Sequence, residues 1–358
     1  MFGHVPEPYH LWDIDHHGAN QKNGGICFSN RLRCFLKGVA QLPDLYKCHA
    51  AEEFIGWGQV RLGPIQWTTG PLPDNPDDIN GLIATPNLPV SKELLVCMPQ
   101  LMVISAYGVG YDYIDIEAAS ELGILVTHTP GAVVQATAEL GLGLILASIR
   151  HIVKQDRAIR HTALQPGSAE FPPPVLSHDA SSRIIGLIGY GRIGRRLGSL
   201  LHALNIPFVY HRRSGPLDNH RGYRSLPSLL NEADIVVLVT PLTAETYHLI
   251  DAEALTQMKA TAVLINIGRG ACVDEKALIQ ALMSKQIGGA ALDVYENEPQ
   301  IPPELIGMDN VILSPHAGTQ TWETRLSMTE DAVGNVVAAL EGHPRNTINS
   351  QSWGRRPG

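Results

Sequence analysis

Cysteine is scarce in this chain. Its 358 residues include five, Cys27, Cys34, Cys48, Cys97 and Cys272, scattered and odd in number. None has the paired spacing of a metal knuckle, so a disulfide-stapled scaffold and a thiolate metal site are both excluded and the thiols read as reduced and intracellular. Basic charge is also short: 27 Lys and Arg face 35 Asp and Glu, a net charge of -8. No nucleic-acid surface is expected, and an acidic substrate must be held by local cations instead of the overall field. Long apolar runs are missing. The longest, Leu140 to Ile149, follows directly on Glu139 and is too short to span a bilayer, so no membrane partner is expected. No basic stretch leading into an apolar core opens the chain, and its end is not the peroxisomal tripeptide, so the expected location is cytoplasmic. His16 and His17 lie beside Asp13 and Asp15, but no further ligands join them and no metal is expected. No tandem repeat is visible.

What remains is a globular composition, 44% hydrophobic and 17% charged, on a chain long enough for two domains. The first seventy residues show no clear periodicity. Beyond them a strand–helix alternation begins: strands at Leu82–Ala84, Leu101–Ile104 and Ile124–Val126, with helices at Val90–Met98 and Ile116–Leu122. Ala132 to Ile159 reads as a long, mostly helical stretch, followed by a loop around Pro172–Pro174. A second alternation has strands at Ile184–Ile188, Pro207–Tyr210, Ile235–Val239, Val263–Ile267, Ala290–Val294 and Val311–Leu313. Its helices fall at Gly194–Leu204, Leu226–Leu230 and Glu275–Met283. Alternating buried strands and helices predict an α/β fold, with parallel sheet covered by helices on both faces.

Gly189-Tyr190-Gly191-Arg192-Ile193-Gly194 follows one of these strands and opens a helix. The glycines permit a tight turn, close approach of a pyrophosphate and close helix packing, while the helix N-terminus offers N–H groups to the phosphates. The order strand, glycines, helix predicts a dinucleotide site. NAD-binding versions place an acid at the end of the next strand, for the ribose 2′-hydroxyl. Here Tyr210 is followed by His211, Arg212, Arg213 and Ser214. Guanidinium groups pair with phosphate in a fork, and no carboxylate at that point repels it, so NADPH is the expected cofactor and NADH a possible one. The plainer reading is that the arginines only cover a surface loop.

Several segments together resemble the D-isomer-specific 2-hydroxyacid dehydrogenases. They are Tyr107–Asp112, Thr137–Glu139, the glycine fingerprint, Thr240–Thr243, Ile265–Gly270, Ala291–Pro299 and Ser314–Ala317, in that order over about residues 80 to 340. Tyr210–Ser214 and Thr321–Arg325 resemble most the NADPH-using glyoxylate, hydroxypyruvate and hydroxyphenylpyruvate reductases of that family. The resemblance implies two Rossmann-like lobes: a doubly wound parallel-sheet cofactor domain over 129–318, and a flavodoxin-like substrate domain built from 1–128 and completed by 319–358. It also implies a homodimer formed through the long segment after Gly131.

The resemblance further assigns roles. His316 is the acid/base, a task that suits a side chain whose charge changes near neutral pH. Glu298 is its carboxylate partner; Glu296 is the neighbouring candidate, and the spacing from Asp293 favours Glu298. Arg269 clamps the substrate carboxylate and polarises the reacting oxygen, with the backbone N–H groups of Val109 and Gly110 on the other face. Asp293 accepts a bond from the nicotinamide carboxamide. Thr137, Thr240, Pro241 and Ile267 join the cofactor contacts. Cys272 lies near Arg269 in sequence, but hydride transfer needs no nucleophile, so it reads as packing. The implied activity is reduction of a 2-oxo acid to a D-2-hydroxy acid. Alternatives are an NAD-dependent enzyme for a larger or aromatic 2-oxo acid, or a nucleotide-sensing corepressor-type binding protein. Formate oxidation is a poorer fit, because that branch lacks the carboxylate that stands here as Glu298.

Overall fold

The computed structural model describes residues 46–50, 61–62, 65–69, 75–163, 171, 173, 175–217 and 222–353. The His16, His17, Asp13 and Asp15 group, together with Cys27 and Cys34, lies outside the described residues. The described residues divide into two compact units. One contains those up to Tyr107, Tyr113–Thr129 and those from Leu326 onward; the other contains Gly108–Asp112 and Pro130–Arg325.

The first unit carries a six-stranded sheet in the order β2-β3-β1-β4-β5-β6. Its strands are β1 (Tyr46–Ala50), β2 (Arg61–Leu62), β3 (Ile65–Thr69), β4 (Gly81–Ala84), β5 (Val103–Ala106) and β6 (Leu125–Thr127). Only the β2–β3 pair is antiparallel. Without that edge strand the order is 2-1-3-4-5, the flavodoxin-like winding. Strands β4, β5 and β6 are buried throughout, which is why their sequences are mostly apolar instead of alternating, with Ser105 and Thr127 as buried polar exceptions. Short helices at Lys92–Val96 and Ile116–Glu121 are started by side chains: Ser91 Oγ accepts from Leu94 N, and Asp115 Oδ1 accepts from Ala118 N at 2.9 Å. The helix Trp322–Leu340 reaches this sheet. A Cβ on Gly81 would meet Val336 Cγ1 at 2.7 Å and Cys48 Sγ at 2.9 Å. Burial pushes the Cys48 thiol well above its usual range, in keeping with a packing role.

In the second unit all strand pairs are parallel and the order is β12-β11-β10-β9-β7-β8. These strands are β7 (Ile185–Ile188), β8 (Phe208–His211), β9 (Ile235–Leu238), β10 (Val263–Asn266), β11 (Gly289–Leu292) and β12 (Val311–Leu313). The winding reverses at β7, between β8 and β9, so the carboxyl ends of β7 and β9 form the switch point where open α/β sheets bind ligands. Helices Val134–Ile149, Arg192–Ala203, Leu226–Glu232, Ala252–Thr256 and Glu275–Met283 belong to this unit. Tyr210 is fully buried and stacks on Tyr190 with ring centroids 4.1 Å apart.

The structure departs from the sequence reading in places. The stretch Ala132–Ile159 is mostly helical, as read, but in two pieces. It breaks after Ile149, bends by 60° into Ile152–Ala163, and turns at His151 with φ 52°. No proline or glycine marks the break; a single left-handed residue makes it. The helix Trp322–Leu340 and the short helices Ala252–Thr256 and Pro303–Ile306 had no sequence counterpart. Among the described residues no single helix is long and apolar enough to cross a membrane.

Candidate active site

The glycine turn is built as its spacing predicts. Gly189 follows β7 with φ 99°, a backbone that L side chains resist, and its Cβ would lie 2.6 Å from Val239 O at the end of β9. A Cβ on Gly194 would lie 2.1 Å from Gly189 O, so the helix can sit this close to the turn only without a side chain there. Gly191 differs: nothing stands within 4 Å of its Cβ position. It is the N-cap of Arg192–Ala203, and no side chain caps that end. The first N–H groups of a twelve-residue helix and its positive dipole end are thus left for an anion. Two glycines serve packing and the third leaves open room, which fits a dinucleotide pyrophosphate.

Strand β8 delivers the residues that replace the expected acid. His211 closes the strand, with Nδ1 3.0 Å from Arg224 O. Arg212 donates from Nε to Ser214 Oγ at 2.6 Å, and Arg213 pairs with Glu245 at 3.1 Å. Thr240 Oγ1 lies 3.5 Å from Cys272 Sγ, and that thiol in turn is 3.7 Å from Pro241 O, so Cys272 is a buried brace under the Thr240–Pro241 turn.

Arg269 stands in the loop after β10. Asn266, buried, braces this loop from both sides: its Oδ1 accepts from Gly268 N at 3.0 Å and its Nδ2 donates to Arg269 O at 2.8 Å. The guanidinium is aimed by Gly268 O, 3.0 Å from Nη1, and by Asp112 Oδ1, 3.0 Å from Nε. Gly110 completes the arrangement. Its Cβ position lies 1.5 Å from Arg269 Nη2, so any side chain there would take the place of the guanidinium. Val109 lies in the same Gly108–Asp112 segment. Asp112 belongs to the quoted Tyr107–Asp112 motif, but nothing in sequence ties it to an arginine 157 residues away.

The histidine turn follows β12. His316 adopts φ 52° and its Nδ1 lies 2.8 Å from Glu298 Oε2. Glu298 Oε1 accepts from Tyr295 N at 3.0 Å. Burial pushes the Glu298 carboxyl up, but His316, the Tyr295 N–H and Arg269 together outweigh it and hold the group below its ordinary range. With Nδ1 engaged by Glu298, Nε2 is the ring nitrogen that this contact leaves free. The unusual backbone is pinned by Asp293, which is buried. Its Oδ1 accepts from Ser314 Oγ at 2.5 Å and Ala317 N at 2.7 Å, and its Oδ2 from Gly318 N at 3.0 Å. His316 N donates to Asp293 O at 2.8 Å. Thr137 Oγ1, from the long helix, donates to Gly318 O at 3.2 Å. Asp293 and Thr137 thus hold the histidine turn, whatever else they contact. Ile267 is buried beside the Arg269 loop.

Glu296 turns away from His316. It takes His248 Nε2 at 2.9 Å and Glu275 N at 3.4 Å, while Glu275 Oε1 accepts from Glu296 N at 3.4 Å. Burial and the Glu296 charge raise the Glu275 carboxyl. A Cβ on Gly270 would lie 1.8 Å from Tyr295 O. The Arg269 loop and the acid loop therefore run backbone against backbone, fastened on one flank by His248. Sequence reasoning missed His248, Asn266 and Asp112; only the Glu296 alternative hinted at the first. Among the described residues no group of three His, Cys, Asp or Glu side chains could hold a metal ion.

Comparison with known proteins bears directly on this geometry. The family profile "D-isomer specific 2-hydroxyacid dehydrogenase, NAD binding domain" matches residues 142–318. The chain is 40% identical over 280 residues to a glyoxylate reductase from Pyrococcus horikoshii, covering 76% of this chain and 84% of that one. It is 38% identical over 269 residues to a hydroxyphenylpyruvate reductase from Plectranthus scutellarioides, covering 75% and 84%. Among solved structures, an NADPH-dependent glyoxylate/hydroxypyruvate reductase from Sinorhizobium meliloti, in complex with NADP and malonate, superposes with a TM-score of 0.76 at 29% identity, over 88% of this chain and all of that one (100%). With the glycine turn, the guanidinium loop and the carboxylate–histidine pair on one parallel sheet, the chain belongs to the D-isomer-specific 2-hydroxyacid dehydrogenases, a family of NAD(P)-dependent oxidoreductases.

Proposed function

We propose that this protein reduces a small 2-oxo acid, glyoxylate or hydroxypyruvate in type, to the D-2-hydroxy acid, with NADPH as preferred reductant. The observation that carries the reading is the His316–Glu298 pair at 2.8 Å, in the same compact unit as Arg269 and the glycine turn. That unit is the cofactor domain, and the flavodoxin-like unit is the substrate domain. Bound NADPH supplies a hydride to the carbonyl carbon. Arg269 holds the substrate carboxylate and draws charge onto the carbonyl oxygen, aided by the Val109–Gly110 backbone. His316 hands the proton on Nε2 to that oxygen as it gains charge, and the Glu298 carboxylate stabilises the protonated ring. Relatives named glyoxylate reductase and glyoxylate/hydroxypyruvate reductase support the small-acid reading, whereas the one named hydroxyphenylpyruvate reductase goes with the aromatic alternative. The test is a panel of 2-oxo acids mixed with NADPH or NADH, followed by loss of reduced-nicotinamide absorbance. Turnover of glyoxylate and hydroxypyruvate is expected; no oxidation of either cofactor with any acid would overturn the reading.

The cofactor preference rests on Arg212 and Arg213, where NAD enzymes have an acid. The relative solved with NADP supports it. Replacing both arginines by glutamine is expected to weaken NADPH strongly and NADH little. Charge-assisted hydrogen bonds contribute about 1.5–3 kcal/mol each, so losing one or two predicts a change of roughly tenfold to several thousandfold, with incomplete additivity. Cofactor titration by nicotinamide fluorescence checks this; equal losses for the two cofactors would refute it.

The expected assembly is a homodimer in the cytoplasm. Ile152, Ile159, Phe171 and Leu176 are large apolar side chains exposed on and just after the bent helix Ile152–Ala163, which supports an interface through that segment. Light scattering at micromolar concentration is expected to give twice the chain mass, and a single-chain mass would count against it.

A further inference from the structure

Arginines stand directly after β8, where NAD enzymes place an acid, yet the fold brings a carboxylate to one of them from another loop. Arg213 Nη1 lies 3.1 Å from Glu245 Oε2. Arg213 stands in the loop after β8 and Glu245 in the loop after β9, and β7 with its glycine turn runs between those two strands. The ion pair therefore joins the two loops that flank the dinucleotide turn.

Both ends are held. Arg213 lies in a turn closed by Gly215 N donating to Arg212 O at 3.1 Å, with Gly215 at φ 79°. Glu245 lies in a loop fixed by Thr246 Oγ1, which accepts from Thr243 N at 2.7 Å and donates to Pro241 O at 2.7 Å. The Glu245 carboxylate itself accepts from Thr243 Oγ1 at 2.8 Å. That hydroxyl, its own backbone N–H and the Arg213 charge hold the Glu245 carboxyl below its ordinary range. An ionised, oriented carboxylate thus occupies the arginine whose expected partner is a phosphate.

We propose that Glu245 is a specificity-determining residue, competing with the 2′-phosphate of NADPH for Arg213 and so narrowing the enzyme's preference for NADPH over NADH. The proposal rests on the reading that Arg212 and Arg213 recognise that phosphate. A phosphate and a carboxylate on one guanidinium repel each other, and the fork cannot serve both in full. NADH brings only a hydroxyl to this point. Arg213 then keeps its carboxylate, and no anion has to displace it. Among the described residues Arg212 has Ser214 as its partner and pairs with no carboxylate, so there the penalty falls on Arg213. The Arg213 and Glu245 side chains are 76% and 63% exposed, so the competition is modest and sensitive to salt.

The test is Glu245→Gln, which keeps an acceptor for Thr243 but removes the charge. The dissociation constant for NADPH is expected to fall about twofold to fivefold, the range of exposed ion pairs, and that for NADH to move less. The gain is expected to shrink at high ionic strength, and to disappear when Arg213→Gln is already present. An unchanged NADPH-to-NADH ratio, or weaker NADPH binding in Glu245→Gln, overturns the proposal; the second result would mean that the carboxylate preorganises Arg213 for the phosphate. The Arg212 and Arg213 double replacement separates the two levels. If it spares NADPH binding, the cofactor reading falls. If it weakens NADPH while Glu245→Gln shifts neither cofactor, only the role of Glu245 falls.

Discussion

Replacing His316 with alanine will leave cofactor binding nearly intact and lower turnover by about 10² to 10⁴, the usual contribution of a positioned general acid–base group. The geometry makes this a test of one proton. The backbone at residue 316 is held by Asp293 through His316 N, Ala317 N and Gly318 N, so removing the ring leaves the turn in place. Glu298→Gln separates charge from shape. The glutamine can still meet Nδ1 and Tyr295 N, but it no longer favours the protonated ring. In the proposed mechanism reduction uses the proton on His316, so the mutant's activity in that direction is expected to decline at a lower pH than the parent's. Oxidation needs the neutral ring, and its acidic edge will extend to lower pH. The pH dependence of kcat/KM in both directions decides the matter, and superimposable profiles would mean that Glu298 does not tune the histidine. The same substitution affects stability with a definite sign. A carboxyl whose folded value is lowered adds stability that is present above its unfolded value and is lost as pH falls through the folded one. Glu298→Gln will therefore flatten part of the acid-side loss seen in thermal unfolding.

Removing Arg269 will cost about 10² to 10³ in kcat/KM, the scale for losing a preorganised group aimed at developing charge. Arg269→Ala alone tests little beyond its presence, so the sharper variant is Gly110→Ala. The added methyl would lie 1.5 Å from Arg269 Nη2. That atom ends a flexible side chain, so the guanidinium will move and the fold will stand. The expected result is a rise in KM for the 2-oxo acid, an unchanged melting temperature and little change in NADPH affinity. Losing one charge-assisted hydrogen bond corresponds to roughly tenfold to a hundredfold. A Gly110→Ala protein with parental KM would show that Arg269 does not work from the position held by Gly110 and Asp112.

Local features were legible in the sequence and long-range partnerships were not. The turn at Gly189–Gly194 could be read because strand, glycines and helix adjoin in the chain, and each glycine answers a steric demand set within a few residues or by the neighbouring strand. Glu298 could be preferred to Glu296 on spacing, but only the fold shows why: Glu296 is already committed to His248. Asp112 could not be matched to Arg269, because no periodicity links residues on such distant loops. The break at His151 left no trace, since a left-handed histidine looks like any other histidine in a helical pattern. The helix Trp322–Leu340 was hidden by its own interior, where Gly334 and the fully buried Asn335 interrupt the apolar stripe. Asn335 is accommodated there because its Nδ2 donates to His128 O at 2.8 Å, while its Oδ1 accepts from Arg345 Nε and Asn346 Nδ2. Strands β1 to β3 are short and mixed in composition, which left the early part of the chain unread.

The segment Gly108–Asp112 is grouped with Pro130–Arg325, although the chain on both sides of it belongs to the other unit. This constrains how such a protein can be recombined. A chimaera that exchanges only the contiguous block Pro130–Arg325 with a relative would carry over His316, Glu298 and Arg269. It would leave behind the carboxylate of Asp112 and the bare Cα of Gly110, against which that arginine is set. The unit that seats Arg269 is discontinuous, and a graft that omits these five residues depends on the recipient chain for a carboxylate and a bare Cα in their place.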